Sequence, residues 1–309
     1  MKECKLKYFI AAFSAVVVWG FFSIPLRMLQ DYPSEQILYY RIFTSLLLTW
    51  LYIFLFRKNQ IKLDIEYIQK EEKYSVKKII WLSLFAGLLI TGNWFTYIYV
   101  VNNVSLKSAA FAYMVCPLIT ALGGFLILKE QLSTMKLIAL GFALVSIVML
   151  AQGSLRDVLW SVLVAALYSF YLIIQRVMVR IDKFNMLGLH LLIAALLMLP
   201  FFLSDFEFLP SDPNFWVTIV VISVFFTIIP LFLSLYALIG MPSSTLGIII
   251  YINPIVAFAV AFFYFHEEIS RVQVYSYLLL LAAVVVFNWA TIKEILFKTP
   301  ANKTPVIIP

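Results

Sequence analysis

The stretch SLKSAAFAYMVCPLITALGGFLILKEQLS, Ser105–Ser133, has a second copy in the same chain. At an offset of 137 positions it falls on PSSTLGIIIYINPIVAFAVAFFYFHEEIS, Pro242–Ser270, so that Ser108 meets Thr245, Pro117 meets Pro254, Glu130 meets Glu267 and Ser133 meets Ser270. Upstream the repeat continues at an offset of 149, where VVWGFFSIPLR (17–27) falls on ALYSFYLIIQR (166–176). Trp19 then meets Tyr168, and Arg27 meets Arg176. The difference between the two offsets is absorbed by a longer connection ahead of Ile79.

Composition sets the class in which this duplication must be read. The chain is 63% hydrophobic and 13% charged over 309 residues, with a mean hydropathy of +0.98. Soluble domains carry about 25% charge. A helix crossing a bilayer needs about 20 mostly apolar residues, because every backbone amide in the hydrocarbon must be bonded internally. The alternation of an outer-membrane barrel is missing. Apolar runs broken by charge, Pro or Gly predict ten helices, at about 8–29, 36–56, 79–102, 106–128, 134–151, 156–179, 185–203, 214–239, 243–265 and 272–296. The first run follows Lys2, Lys5 and Lys7 but exceeds a signal peptide's apolar core, so it reads as a retained span. The expected fold is an all-α membrane protein of ten transmembrane helices. Five fall in each repeat, 1–152 and 153–296, and an odd number inverts one half against the other; 297–309 reads as a disordered cytoplasmic tail.

Lys and Arg mark the cytoplasmic side of short loops. They gather at Lys2, Lys5 and Lys7, in Arg57–Lys78, around the 179–185 turn and at the C-terminus, against Arg27, Lys107, Arg156 and Arg271 on the other side. Both termini are therefore expected in the cytoplasm. The net charge of +7 reflects topology, not nucleic-acid binding. The segment Arg57–Lys78 also holds acids and reads as a solvated loop. Cys4 and Cys116 have no metal or redox spacing, and neither cofactor nor metal is expected.

Inverted repeats are the mark of secondary transporters, whose site lies near the midplane between halves that rock against each other. The paired Pro117…Glu130-x-x-Ser133 and Pro254…Glu267-x-x-Ser270 patterns resemble the EamA units of the drug/metabolite transporter superfamily. GNW at 92–94, Asn102, TIIPL at Thr227–Leu231, and STLG at 244–247 with Tyr251 and Pro254 resemble its RarD-type subgroup. The resemblance implies a central cavity among runs 1–4 and 6–9, with runs 5 and 10 outside. It also implies a metabolite such as an amino acid or related compound as substrate, with drug-like compounds among those exported.

Polar side chains inside membranes face other helices or a water-filled cavity. Asn93 and Tyr97 share a helix face, and Trp94 marks the neighbouring one. That face suits a cavity lining opposite Pro230–Tyr236, or equally an interhelical hydrogen bond and a packed ring. Trp19, Tyr113, Tyr168, Tyr171, Tyr236 and Tyr251 recur at matching places, with Gln175 and Asn253 as further inward candidates. Such rings stack on planar solutes or hold cations. Arg41 lies within the second run. It either snorkels outward to Asp31 or Glu35, or meets an anionic group of a solute. His190 matches Arg41 at the offset of 149 and is the titratable candidate or a bonded core histidine. Glu130, Ser133, Glu267 and Ser270 read as structural closers and N-caps. Pro25, Pro117, Pro230 and Pro254 are expected to break or bend their helices.

All sixteen acids fall in loops, tails or run ends, which argues against an acidic proton relay. No nucleophile–base or metalloenzyme motif appears, so the expectation is not an enzyme. The sequence thus predicts an alternating-access permease or exporter of a small organic solute, in a bacterial inner membrane, as a monomer or homodimer. A receptor, a scaffold or a channel-like facilitator is the rival.

Overall fold

The computed structural model describes residues 2–70, 76–103, 106–150, 155–178, 181–204, 209–264, 266, 271–289 and 293. Among these all regular structure is helical: α1 (Lys2–Gly20), α2 (Ser23–Arg27), α3 (Ser34–Phe56), α4 (Lys58–Lys70), α5 (Val76–Asn103), α6 (Leu106–Leu128), α7 (Thr134–Leu150), α8 (Leu155–Val177), α9 (Lys183–Ser204), α10 (Pro213–Ser223), a π-turn (Val224–Ile228), α11 (Ile229–Gly240), α12 (Ser243–Ile249), α13 (Ile252–Phe263) and α14 (Arg271–Phe287). Among the described residues, six segments are long and apolar enough to cross a membrane: Leu6–Arg27, Glu35–Phe56, Val76–Tyr97, Leu159–Val177, Lys183–Ser204 and Pro213–Gly240. Ala112–Leu128, Thr134–Met149, Ser243–Val256 and Val274–Phe287 are shorter apolar helices. The expected tail, Glu267 and Ser270 lie outside the described residues.

The surface is apolar and the interior partly polar, as lipid demands. Leu126 is 65% exposed and Phe56 73%, whereas Arg41 is 8% and Asn93 and His190 are 1%. Lipid offers no reward for hiding Leu or Phe, but it penalises an unbonded amide or charge, so the polar groups turn inward.

Proline explains three interruptions. Pro25 follows the turn at Phe21–Phe22 that separates α1 from α2. Pro254 has no N–H to return to Ile250, four residues back; Asn253 N takes that carbonyl instead at 2.9 Å, and the chain breaks between α12 and α13. Pro230 sits at the start of α11, directly after the π-turn. Pro117 behaves otherwise: α6 runs through it as one continuous helix, so of the two expected outcomes the break is corrected. Neighbouring helices commonly tolerate this in membranes by satisfying the freed carbonyl.

The expected loop Arg57–Lys78 is also corrected, because α4 occupies Lys58–Lys70. Asp64 of α4 is buried and accepts from Asp182 N at 3.2 Å and Asn185 Nδ2 at 2.7 Å. Asp182 in turn receives the two terminal nitrogens of Arg57 at 3.1 and 2.9 Å and caps α9 through Phe184 N and Asn185 N. One buried acid, Asp64, thereby ties this otherwise largely exposed helix to the start of α9.

Packing follows the sequence repeat. Counterparts under the two offsets are α1 and α8, α3 and α9, α5 and α10–α11, α6 and α12–α13, and α7 and α14. α1 packs on α11, and its counterpart α8 packs on α5; α6 packs on α8, and α13 on α1; α5 packs on α9, and α10 on α3. The pairs α3–α9, α6–α12 and α7–α14 join counterparts directly. Glycine permits close approach at two of these contacts: a Cβ on Gly20 would lie 2.4 Å from Val256 Cβ, and one on Gly247 2.8 Å from Thr120 Cβ. Lys129 and His266, equivalent at the offset of 137, are the two positive-φ non-glycine residues among those described, at 57° and 53°.

Candidate functional site

The TIIPL stretch builds the centre of the site. Ile229 N reaches back five residues to Val224 O, which defines the π-turn. Four residues on from Phe226, Pro230 has no N–H to offer its carbonyl, and Trp19 Nε1 on α1 donates to that oxygen at 2.9 Å. Thr227 Oγ1 donates to Ile222 O at 3.1 Å and accepts from Arg41 Nε at 2.7 Å. Ser223 Oγ donates to the Arg41 carbonyl at 3.2 Å. An irregular turn that would cost unpaired backbone in lipid is thus tied to α1 and α3 by side chains.

Arg41 does not snorkel to Asp31 or Glu35. Its guanidinium points inward to Thr227, with its carbon 5.1 Å from the Trp94 ring centre and 5.2 Å from that of Phe22. Such contacts stabilise a desolvated guanidinium, at about 2 kcal/mol or more each. Tyr97 and Tyr113, whose rings meet at 5.3 Å, are half-buried and close enough to interact electrostatically with the guanidinium. α2's flank, α3, α5, α6 and the π-turn therefore converge on one charge.

A second group lies on α8 and α9. Tyr171 OH and Gln175 Nε2 each stand 3.4 Å from a ring nitrogen of His190, which is buried with both neighbours. Tyr168 stacks on Tyr171 at 6.0 Å and meets Trp19 edge-on at 6.1 Å. Phe22 and Phe226 pack at 5.6 Å. The two groups are thereby linked, Arg41 through Phe22 and Phe226 to Trp19, Tyr168, Tyr171 and His190.

Other expected residues sit apart. Asn93 Nδ2 donates to Val164 O at 2.9 Å, which ties α5 to α8 instead of facing Pro230–Tyr236. Tyr236 packs with Tyr8 at 5.1 Å and Phe232 at 6.1 Å. Tyr251 lies fully buried at the α12–α13 break in a cluster with Met114 and Ala283, and its hydroxyl has no bonding partner among the described residues. Asn253 follows that break, half-buried. Glu130 reaches a residue far along the chain: it accepts from Ser243 N at 2.8 Å, Ser243 Oγ at 2.9 Å and Ser244 N at 3.0 Å, at the start of α12. Lys129 turns left-handed ahead of it, and Ser133 O accepts the first bond of α7 from Leu137 N at 3.1 Å. No group of three or more His, Cys, Asp and Glu among the described residues is placed to hold a metal.

Thr227, Ser223 and Phe22 were not singled out from sequence. Thr227 stood within a quoted motif, but its role depends on a π-turn that no periodicity announces. Arg57, Asp64 and Asp182 looked like ordinary loop charges.

The pattern of the EamA-like transporter family matches residues 6–152 and 155–289. The transporter YojE of Bacillus subtilis (strain 168) is 28% identical over 90% of this chain and 92% of its own. The protein RarD of Streptomyces exfoliatus is 28% identical over 91% of this chain and 88% of its own, and RarD of Escherichia coli (strain K12) 23% identical over 90% and 92%. A solved crystal structure superposes with a TM-score of 0.68 over 92% of this chain and 97% of that one, at 16% identity, which speaks to the fold alone. With the apolar helices and the inward polar cluster, these matches make the chain a multi-pass protein of the bacterial inner membrane, and it belongs to the EamA-like transporter family, among RarD-like members.

Proposed function

We propose that the chain is a secondary transporter of ten membrane helices in two inverted five-helix halves, with both termini cytoplasmic, moving a small organic solute by alternating access. The observation that carries this reading is Arg41, a buried cation held by Thr227 and two rings where the halves meet. Intramembrane charge is expensive and is kept where a solute path needs it. Trp94, Tyr97 and Tyr113 line the site beside it, with Trp19, Tyr168, Tyr171, Gln175 and His190 continuing the path.

The inverted arrangement is supported by the helix pairing, which maps onto itself when the halves are exchanged, and by the equivalent left-handed residues Lys129 and His266. Arg57–Asp182 and Glu130–Ser243 join connections that this topology assigns to one side of the membrane. Breaks at Pro25, Pro230 and Pro254 give the halves places to flex.

Counterflow in proteoliposomes preloaded with a pooled metabolite mixture tests the function, read by mass spectrometry. Specific exchange is the expected result; no exchange across the pool by protein shown to be folded overturns the reading in favour of a receptor or scaffold. Single cysteines at Lys58 and Asp212, in a chain whose two native cysteines are replaced, are expected to label from opposite sides. Labelling from the same side would remove the topology.

A further inference from the structure

Arg41 enters the protein interior with its charge only partly answered. Nε is committed to Thr227 Oγ1 at 2.7 Å, and the two Nη nitrogens have no acceptor among the described residues. The acids that have inward partners are engaged elsewhere: Asp182 with Arg57, Asp64 with Asn185, Glu130 with Ser243 and Ser244. Trp94 and Phe22 stabilise the cation through their faces but supply no lone pair. What remains is a planar fork of N–H donors, 8% exposed, already oriented by a hydrogen bond and flanked by two rings.

We propose that this fork receives the carboxylate of an organic monoanion end-on, with the body of the solute against Trp94, Tyr97 and Tyr113. The inference rests on the transporter reading above and names the solute class for the same site. A carboxylate matches two parallel guanidinium donors, and the pair is stronger than a neutral hydrogen bond. With Nε occupied, the side-on approach is closed and the Nη edge is the docking face. Arg41 is the only cation that the described residues place in this cluster, so one negative charge is matched and a second, as on a phosphate ester, is left buried and unanswered. The rings suit a carboxylate with a flat or apolar body over a strongly hydrated one.

The test uses the full chain in liposomes of phosphatidylcholine, which has no carboxylate headgroup. Phenylacetate and butyrate are compared with phenylacetamide, butyramide and inorganic phosphate, by the shift each gives in thermal unfolding and by competition against counterflow. Each carboxylate is expected to act at concentrations about tenfold or more below its amide, the effect of a charge-assisted pair. Arg41→Gln is expected to erase that preference, and Arg41→Lys, which keeps the charge without the fork, to retain part of it. Preferences within about twofold, tighter binding of phosphate, or no response to either carboxylate would overturn the proposal. Loss of the carboxylate response when phosphatidylserine is added would assign the fork to a lipid headgroup and equally overturn it. Should Arg41→Gln fail to insert, the carboxylate–amide comparison on the native chain decides alone. Exchange of neutral or cationic solutes without carboxylate preference removes this inference and leaves the transporter reading standing; carboxylate binding without any exchange does the reverse.

Discussion

Arg41 Nε donates to Thr227 Oγ1 at 2.7 Å, joining residues 186 positions apart and locking α3 to the π-turn. Thr227 also anchors itself to Ile222 O, so a single hydroxyl positions the guanidinium and closes the irregular turn. Thr227→Val keeps the shape and removes both bonds. It is expected to raise the half-saturating solute concentration about tenfold, corresponding to the loss of a hydrogen bond to a charged group, with a smaller effect on maximal rate. Counterflow kinetics on membrane-inserted protein provide the check; an unchanged concentration dependence would separate Thr227 from the site.

Trp19 and Pro230 are expected to be coupled. Trp19→Phe leaves the Phe226 carbonyl without its indole donor and should destabilise the protein by about 1–3 kcal/mol. Pro230→Ala supplies a backbone N–H within reach of that carbonyl. In the double variant the Trp19→Phe cost should fall below its cost alone, as thermal unfolding in detergent would reveal; additive costs would deny the coupling.

Glu130 holds the start of α12 through three donors. Glu130→Ala should lower stability by about 1–2 kcal/mol, the scale of a lost N-cap, and Glu130→Gln by less because its amide oxygen still accepts. Equal melting temperatures for the two variants would mean that the clamp is not what stabilises this turn.

Asn93→Leu removes the bond to Val164 O between α5 and α8. Interhelical hydrogen bonds in membranes average about 0.6 kcal/mol, so a small loss of stability is expected, with solute selectivity intact. A change in which solutes exchange, without a change in melting temperature, would return Asn93 to the lining.

Two glycines should respond in opposite ways. Gly20→Ala places a methyl 2.4 Å from Val256 Cβ and should separate α1 from α13, lowering stability by about 1–3 kcal/mol. At Gly141 nothing lies within 4 Å, and alanine there should be neutral or stabilising by up to about 1 kcal/mol. Unfolding measurements on both variants discriminate close packing from simple helix propensity.

Hydropathy, loop charge and the internal repeat were each legible in the one-dimensional pattern, because lipid imposes its demand residue by residue: long apolar runs, breaks at Pro and Gly, polar side chains kept few. Arg41, Trp94, Tyr97, Tyr113 and Trp19 could be marked as unusual for the same reason. That Asp64 of α4 meets Asp182 and Asn185, residues distant in sequence, is set by packing, and so is whether a proline such as Pro117 interrupts a membrane helix, which the neighbouring helices decide.

What the sequence determined by itself was the class of solvent and the presence of long apolar helices, both of them sums over local composition. Only the tertiary structure decided which polar residue answers which. Asn93 turned to a backbone carbonyl, Glu130 reached the start of α12, and Arg41 was anchored by a threonine that a π-turn exposes. The physical reason is that a hydrogen bond requires donor and acceptor within about 3 Å along a favourable direction, and across helices that geometry is set by packing angle and register, which residue spacing along one helix does not carry.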